Sequence, residues 1–360
     1  MGPSSSNTTN GASSNNFVKI DVITLSGEES SGSDGIDSIE EKTQSGEESS
    51  GSDGILKQRR IEKVQLILRS DKRNKGCYDP KVVSVGPYHH GKKELQEAEN
   101  LKPRVAEMLV SRCSHNMDKF LQKVLEKADD ARSCYVDGST DKYSKEKFAE
   151  MMLLDACFVL AFIEAPVDQD LRILHEIVTC LGMQALLASG TDIFNLLENQ
   201  IPFFVLETVM SLKYQGEWMD VLDMFCDKLM SFGVEDYTKN AKASEISKSK
   251  GIHVRPSGVH SRKAVEFTSF FFFGLLKLPP LFFTPEWIIR CSNFVAYELG
   301  LGLNDRDNLP TMAYVNFMKS LINRPDGVKE LRSKSILFTT FSSDEQVVDI
   351  SMVSSLPRGL

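Results

Sequence analysis

The chain has 360 residues, 41% hydrophobic and 26% charged, with 42 Lys and Arg against 50 Asp and Glu and a formal charge of -8. This composition is that of a globular protein and excludes a collagen-like, fully disordered or multi-span membrane chain. The acid excess lies in residues 1–56, which hold ten acids and two lysines, so residues 57–360 are neutral. No nucleic-acid partner is expected, because a groove that neutralises phosphates leaves a basic surplus on its domain.

Residues 26–36, SGEESSGSDGI, recur identically at 45–55. Ser, Gly and acid cannot bury enough apolar surface to offset chain entropy, so 1–56 is expected to be a disordered acidic arm carrying a duplicated segment. Residues 57–360 read as a single domain with a helical part at 57–237, a loop at 238–250 and a small sheet plus helices at 251–360. Lys57 to Lys75 carries eight basic residues against Glu62 and Asp71. It reads as a solvated basic face that could meet the acidic arm or an anionic surface.

Apolar spacing of three and four predicts helices over Glu94 to Arg112, bent or restarted at Pro103, and over Asp118 to Ala128. Phe148 to Ile163 (FAEMMLLDACFVLAFI) is apolar nearly all round, the mark of a helix buried at the centre of a helical layer. Asp192 to Lys213 reads as two helices meeting near Asn199 to Pro202, with Pro202 in the first turn of the second. Another helix follows at Trp218 to Phe232. Short β-branched and aromatic runs at Ile252 to Val254, Val265 to Thr268, Gly274 to Leu278 and Leu281 to Phe283 predict a small antiparallel sheet. Thr284-Pro285-Glu286 starts a helix through Trp287 to Leu299. Further helices are predicted at Met312 to Ile322, Gly327 to Ser333 and, behind the capping box Ser343 to Gln346, Asp344 to Val353. The expected fold class is α+β, mainly α-helical, with central buried helices and the small antiparallel sheet in the C-terminal half.

Seven dispersed cysteines without a C-x-x-C pair read as reduced thiols and argue against structural zinc. Met1 to Asn16 lacks the basic start and apolar core of a signal peptide. Phe267 to Phe283 is interrupted by Lys277, Pro279 and Pro280 before reaching a membrane span. From the residues alone, a soluble chain in a reducing compartment is expected.

The segment Gly86-Pro87-Tyr88-His89-His90-Gly91-Lys92-Lys93 fits G-x-x-x-x-G-K between a predicted strand, Val82 to Val85, and a helix, the context of a phosphate loop. Lys93 replaces the hydroxyl that would ligate magnesium, and Pro87 removes an amide from the cradle, so a structural tight turn is the favoured reading. Adjacent His89 and His90 cannot chelate as an i, i+4 helical pair could. Cys157, set among Leu154, Phe158 and Val159, reads as a core thiol. Asp155 in the middle of the apolar helix must be paired, neutralised or exposed through a gap. Glu198 and Asn199 pose the same question at the kink beside Pro202, in the motif that also holds Gln200. Either carboxylates do acid–base work there, or Asp155, Glu198 and Asn199 tie off backbone groups freed by the helix break, which is the favoured reading. None of G-x-S-x-G, H-E-x-x-H or a full G-x-G-x-x-G occurs.

Several phrases together resemble one family. VVSVGPYHHGKKELQEAENLKPR at 82–104, EMMLLDACFVLAFIE at 150–164, LLENQIPFFVLETV at 196–209, GIHVRPSGVHS at 251–261, LKLPPLF at 276–282, NFVAYEL at 293–299 and YVNFMKSLINRPDGVKELRSKSIL at 314–337 are similar to the blocks of the plant domain of unknown function 247 family. The resemblance runs from about Cys77 to about Val348 and implies a plant protein with a mainly helical α+β body. It implies no established catalytic mechanism, and it connects the chain with reproductive recognition such as self-incompatibility and with floral sex determination. Family members commonly end in a hydrophobic segment thought to anchor them in a membrane; the sequence through Leu360 shows none, which reads as a soluble or truncated member. The expected function is therefore non-enzymatic recognition of a protein partner, with no cofactor, metal or catalytic residue. The alternatives are an enzyme or phospho-ligand binder using Lys92, Glu198 and Asp155, and a membrane-proximal adaptor using the basic Lys57 to Lys75 stretch.

Overall fold

The computed structural model describes residues 60–167, 171–231, 252–257, 265–269, 274–300 and 309–351. The acidic arm and the 238–250 loop lie outside the described residues. The helical part begins with α1 (Leu66–Ser70), α2 (Gln96–Val110), α3 (Met117–Glu126), α4 (Ala128–Ser133) and α5 (Lys145–Glu164). It continues with α6 (Arg172–Leu181), α7 (Met183–Asn195), α8 (Phe203–Tyr214) and α9 (Met219–Ser231). The C-terminal part holds β1 (Ile252–Pro256), β2 (Glu266–Ser269), β3 (Gly274–Leu278), β4 (Leu281–Phe283), α10 (Pro285–Gly300), α11 (Pro310–Leu321), α12 (Pro325–Ser333), β5 (Leu337–Thr339) and α13 (Asp344–Ser351). This is the expected α+β, mainly helical fold.

Helix α5 starts where the Ser144 hydroxyl accepts the Lys147 N–H at 3.2 Å, and almost all of its length is buried. A helix apolar on every face needs neighbours on every side. Helices α2, α3, α4, α6, α8 and α9 supply them, with Phe120, Leu109, Phe148, Phe158 and Met210 among the buried side chains. A second core joins Val64, Leu68, Tyr78 and Leu197 to β4, β5 and α10 to α13. Within this second core Asn293 of α10 joins two segments from the helical part: its Oδ1 accepts the Leu197 N–H at 2.9 Å and its Nδ2 donates to the Cys77 carbonyl at 2.7 Å.

Several details differ from expectation. Pro103 lies inside an unbroken α2. The stripe Ala98, Leu101, Val105, Ala106 and Leu109, buried against α5, outweighs the roughly 3 kcal/mol that an interior proline costs. Pro202 sits immediately ahead of α8 as its cap residue rather than in its first turn. The sheet is mixed, not antiparallel: β3 pairs in parallel with β1 and antiparallel with β2. Finally, β5 was not foreseen; it pairs in parallel with β4 after the α10 to α12 crossover, the kind of connection that parallel pairing requires. Helix α10 starts as expected, with Thr284 Oγ1 accepting the Trp287 N–H at 3.3 Å, and the Ser343 hydroxyl caps α13 at the Gln346 N–H, 3.1 Å away.

Candidate functional site

The Val82 to Val85 run, expected as a strand, belongs to no strand ladder. Side chains from three other elements take its amides instead. Asp192 Oδ2, near the end of α7, accepts the N–H groups of Lys81, Val82 and Val83 at 3.0, 2.7 and 3.1 Å. Asn199 Oδ1 accepts from Val85 N–H at 2.7 Å, while its Nδ2 donates to the carbonyls of Val83 and Asp192 at 3.0 and 2.9 Å. Asp155 Oδ2 accepts from Gly86 N–H at 2.7 Å. Thus the helix break at 196–202 and the two buried carboxylates provide the acceptors that a neighbouring strand would otherwise supply.

Gly86 closes this segment with φ +80°, and a Cβ there would stand 2.3 Å from the Gln200 carbonyl oxygen. That same carbonyl accepts the Tyr135 hydroxyl at 2.9 Å. The backbones of 86 and 200 can approach this closely only because Gly86 has no side chain.

Beneath the segment lies a buried charge cluster. Lys102, 1% exposed, donates to the Ser84 carbonyl at 2.7 Å, to Glu99 Oε1 at 2.5 Å and to Asp155 Oδ1 at 2.5 Å, which uses all three ammonium hydrogens. Glu99 also accepts the Ser84 hydroxyl at 2.5 Å and lies 3.1 Å from His90 Nδ1. Burial alone would raise the Glu99 carboxyl, but His90, Lys102 and Ser84 outweigh it and hold it at about 2. Burial pushes the Asp155 and Asp192 carboxyls above their ordinary range, against the pull of Lys102 on the first and of the backbone amides on the second.

A second cluster faces the C-terminal part. Glu198 accepts the Val64 N–H at 2.6 Å and Arg69 Nη2 at 2.7 Å, and Arg69 Nη1 reaches Asp79 at 3.0 Å. His89 is buried between these acids, its Nε2 3.6 Å from Glu198 and its Nδ1 3.8 Å from Asp79. Burial, then Lys92, and also Arg69 and Lys63, outweigh Asp79 and hold the imidazole at about 4 against an ordinary 6.5. The folded chain binds this proton more weakly than the unfolded chain, so its contribution to stability is complete above pH 6.5 and is lost as pH falls towards 4. His89→Gln should remove about 3 kcal/mol of the stability change across that window. Equilibrium urea unfolding of both proteins at stepped pH checks this; parallel curves would refute it.

The rest of the Gly86-to-Gly91 turn is equally built in. Pro87 is buried and its carbonyl accepts the Tyr143 hydroxyl at 3.5 Å. The Tyr88 hydroxyl donates to the Ile61 carbonyl at 2.6 Å and accepts the Val136 N–H at 3.0 Å. Gly91 has φ +86°, and Lys92 Nζ lies 3.3 Å from Asp79. The first amide of the turn and its lysine are therefore both engaged within the chain. Cys157 is fully buried, and burial pushes its thiol up to about 12. A cavity of about 440 Å³ at the junction of α2 and α3, lined in part by Glu107, Cys113 and His115, includes none of these residues.

The structure brings Asp155, Asn199 and the Gln200 carbonyl together at Val85 and Gly86; Glu198 instead joins Val64 and Arg69, and Pro202 caps α8. Lys102, Glu99 and Asp192 were missed. Lys102 carried a signal: it stands four residues after Ala98 and three before Val105, on the apolar stripe of α2. Among the described residues, no group of three or more His, Cys, Asp or Glu could hold a metal ion. Nor, among the described residues, is any single helix long and apolar enough to cross a membrane; α6 and α7 reach that length only as a pair bent by 109°.

Two curated relatives from Arabidopsis thaliana are similar over part of the chain. UPF0481 protein At3g47200 is 32% identical over 139 residues, 38% of this chain and 28% of that protein. Putative UPF0481 protein At3g02645 is 29% identical over 145 residues, 39% of this chain and 25% of that protein. The matched regions thus span only about a quarter of each relative. No solved structure shows a significant match. The family model for DUF247, described as plant protein of unknown function, matches residues 61–254 and 239–358, covering the helical body and the C-terminal sheet and helices. The chain belongs to this DUF247 family of plant proteins.

Proposed function

We infer that this chain works by binding another protein rather than by transforming a small molecule. One observation carries the reading: the carboxylates that would do acid–base chemistry are engaged as acceptors for backbone amides and buried cations. Asp155 holds Gly86 and Lys102, Asp192 holds three amides, and Glu198 holds Val64 and Arg69. A general base needs a lone pair facing substrate. Large apolar side chains meanwhile stand in solvent, Leu66 at 82%, Leu187 at 68% and Met219 at 56% exposure, and such side chains supply anchors at interfaces. The family resemblance makes reproductive tissue, with self-incompatibility and floral sex determination, the setting in which to seek the partner.

The test is capture from floral tissue with the full chain, followed by titration of the best hit. Leu66→Asp, Leu187→Asp and Met219→Asp should leave the fold intact, and at least one should weaken binding about tenfold or more. Equal affinity for all three would contradict anchoring through these residues. Turnover of a small molecule that Asp155→Asn abolishes, with the fold retained, would contradict the reading itself.

A further inference from the structure

Three cations converge on one buried imidazole. Lys63 is exposed and places its Nζ 5.0 Å from the centre of the Tyr88 ring. Arg69 bridges Asp79 and Glu198, and half-exposed Lys92 lies 3.3 Å from Asp79. All three act electrostatically on His89. That side chain is only 4% exposed, yet neither of its nitrogens has a hydrogen-bond partner. Lys72, Lys75 and Lys93 are also exposed in the flanking stretches of chain. Asp79 and Glu198 offset two of these three charges, and the surplus beside a buried polar group without a partner marks a place where an added anion gains charge-assisted contacts.

We propose that the rim formed by Lys63, Arg69 and Lys92 is an anion-binding site whose occupant is the chain's own acidic repeat, residues 26–36 or 45–55. Charge complementarity selects it, since each copy carries three acids and no base: Glu28, Glu29 and Asp34 in the first, Glu47, Glu48 and Asp53 in the second. Chain length permits it. The second copy ends eight residues before Lys63 and the first ends 27 before it; eight extended residues reach about 26–29 Å. A tether this short presents its end at an effective concentration on the order of millimolar, enough for a weak ionic contact to be occupied. The repeat then has a physical meaning: two identical segments compete for one rim, so either can fill it.

Zero-length carbodiimide cross-linking of the full chain at high dilution, followed by digestion and mass spectrometry, tests this directly. Lys63 and Lys92 should join to acids of 26–36 or 45–55 within one chain about tenfold more often than Lys123 or Lys145 do, and these joins should fade at about 1 M salt. Neutralising one copy (E28Q, E29Q, D34N) should move the joins to the other, and neutralising both (adding E47Q, E48Q, D53N) should abolish them. Equal urea-unfolding midpoints of these variants and the parent at high salt separate loss of the joins from loss of the fold. Joins spread evenly over all lysines would overturn the proposal. So would joins found only in cross-linked dimers, which would make a second copy the occupant. Protection of Lys63 and Lys92 from acetylation only when phosphatidylserine vesicles are added would assign the rim to lipid instead.

Discussion

Asp155→Ala should destabilise the protein by about 3 kcal/mol or more, measured by equilibrium denaturant unfolding. The change leaves the Gly86 N–H without its acceptor and strips one of two carboxylates from a fully buried ammonium. Breaking a buried pair by removing one partner costs about 3–5 kcal/mol; Glu99, 2.5 Å from the Lys102 nitrogen, keeps the figure at the lower end. Lys102→Met should cost a similar amount, because Asp155 and Glu99 then face each other across an apolar side chain. The double variant should cost clearly less than the sum, the signature of a coupled pair. Additive losses would show that Asp155 and Lys102 act independently. Asp155→Asn, which retains an oxygen for Gly86, should cost less than Asp155→Ala.

Gly86→Ala should be as damaging, although it adds a single methyl group. The position combines φ +80° with backbone contact: the new Cβ would sit 2.3 Å from the Gln200 carbonyl oxygen. Positive φ alone costs a non-glycine residue about 1–2 kcal/mol. Here, relief of the clash must also move the carbonyl that holds Tyr135 and the segment whose amides are held by Asn199 and Asp155. The expected loss is about 3 kcal/mol or more, with Gly91→Ala as control. Gly91 has a similar φ of +86° but nothing within 4 Å of an added Cβ, so it should lose only the conformational part. Equal losses at the two glycines would refute the close-packing argument.

No helix was expected over α6 and most of α7. Much of the helical body was nonetheless legible because α5 is apolar on every face and because α2 and α3 repeat apolar residues at three- and four-residue spacing. Asp155 was legible for the same reason, since a lone carboxylate in such a helix demands a partner. Its cation was overlooked: Lys102 keeps the spacing of Ala98 and Val105 on the apolar stripe of α2, but beside Pro103 and Arg104 a lysine reads as surface. Asp192 was hidden because the sequence reading starts a helix there, where an acid is favoured, whereas it lies in the last turn of α7. The segment at 82–85 misled by composition: Val-Val-Ser-Val reads as a strand, and nothing local shows that its amides go to side chains from α5, α7 and the 196–202 break. The mixed sheet escaped for a related reason, since strand direction depends on which runs become neighbours in space, and the three residues of β5 are too short to show periodicity.

Site-resolved native-state hydrogen exchange on residues 81–86 tests the central claim most directly, that buried side chains form a scaffold holding this extended segment. The account predicts that the amides of Val82, Val83, Val85 and Gly86 exchange as slowly as the core of α5, near the free energy of global unfolding, although they belong to no strand ladder. Exchange at the rate of an open loop, with α5 still protected, would contradict it and return Asp155, Asp192 and Asn199 to the pool of groups available for chemistry.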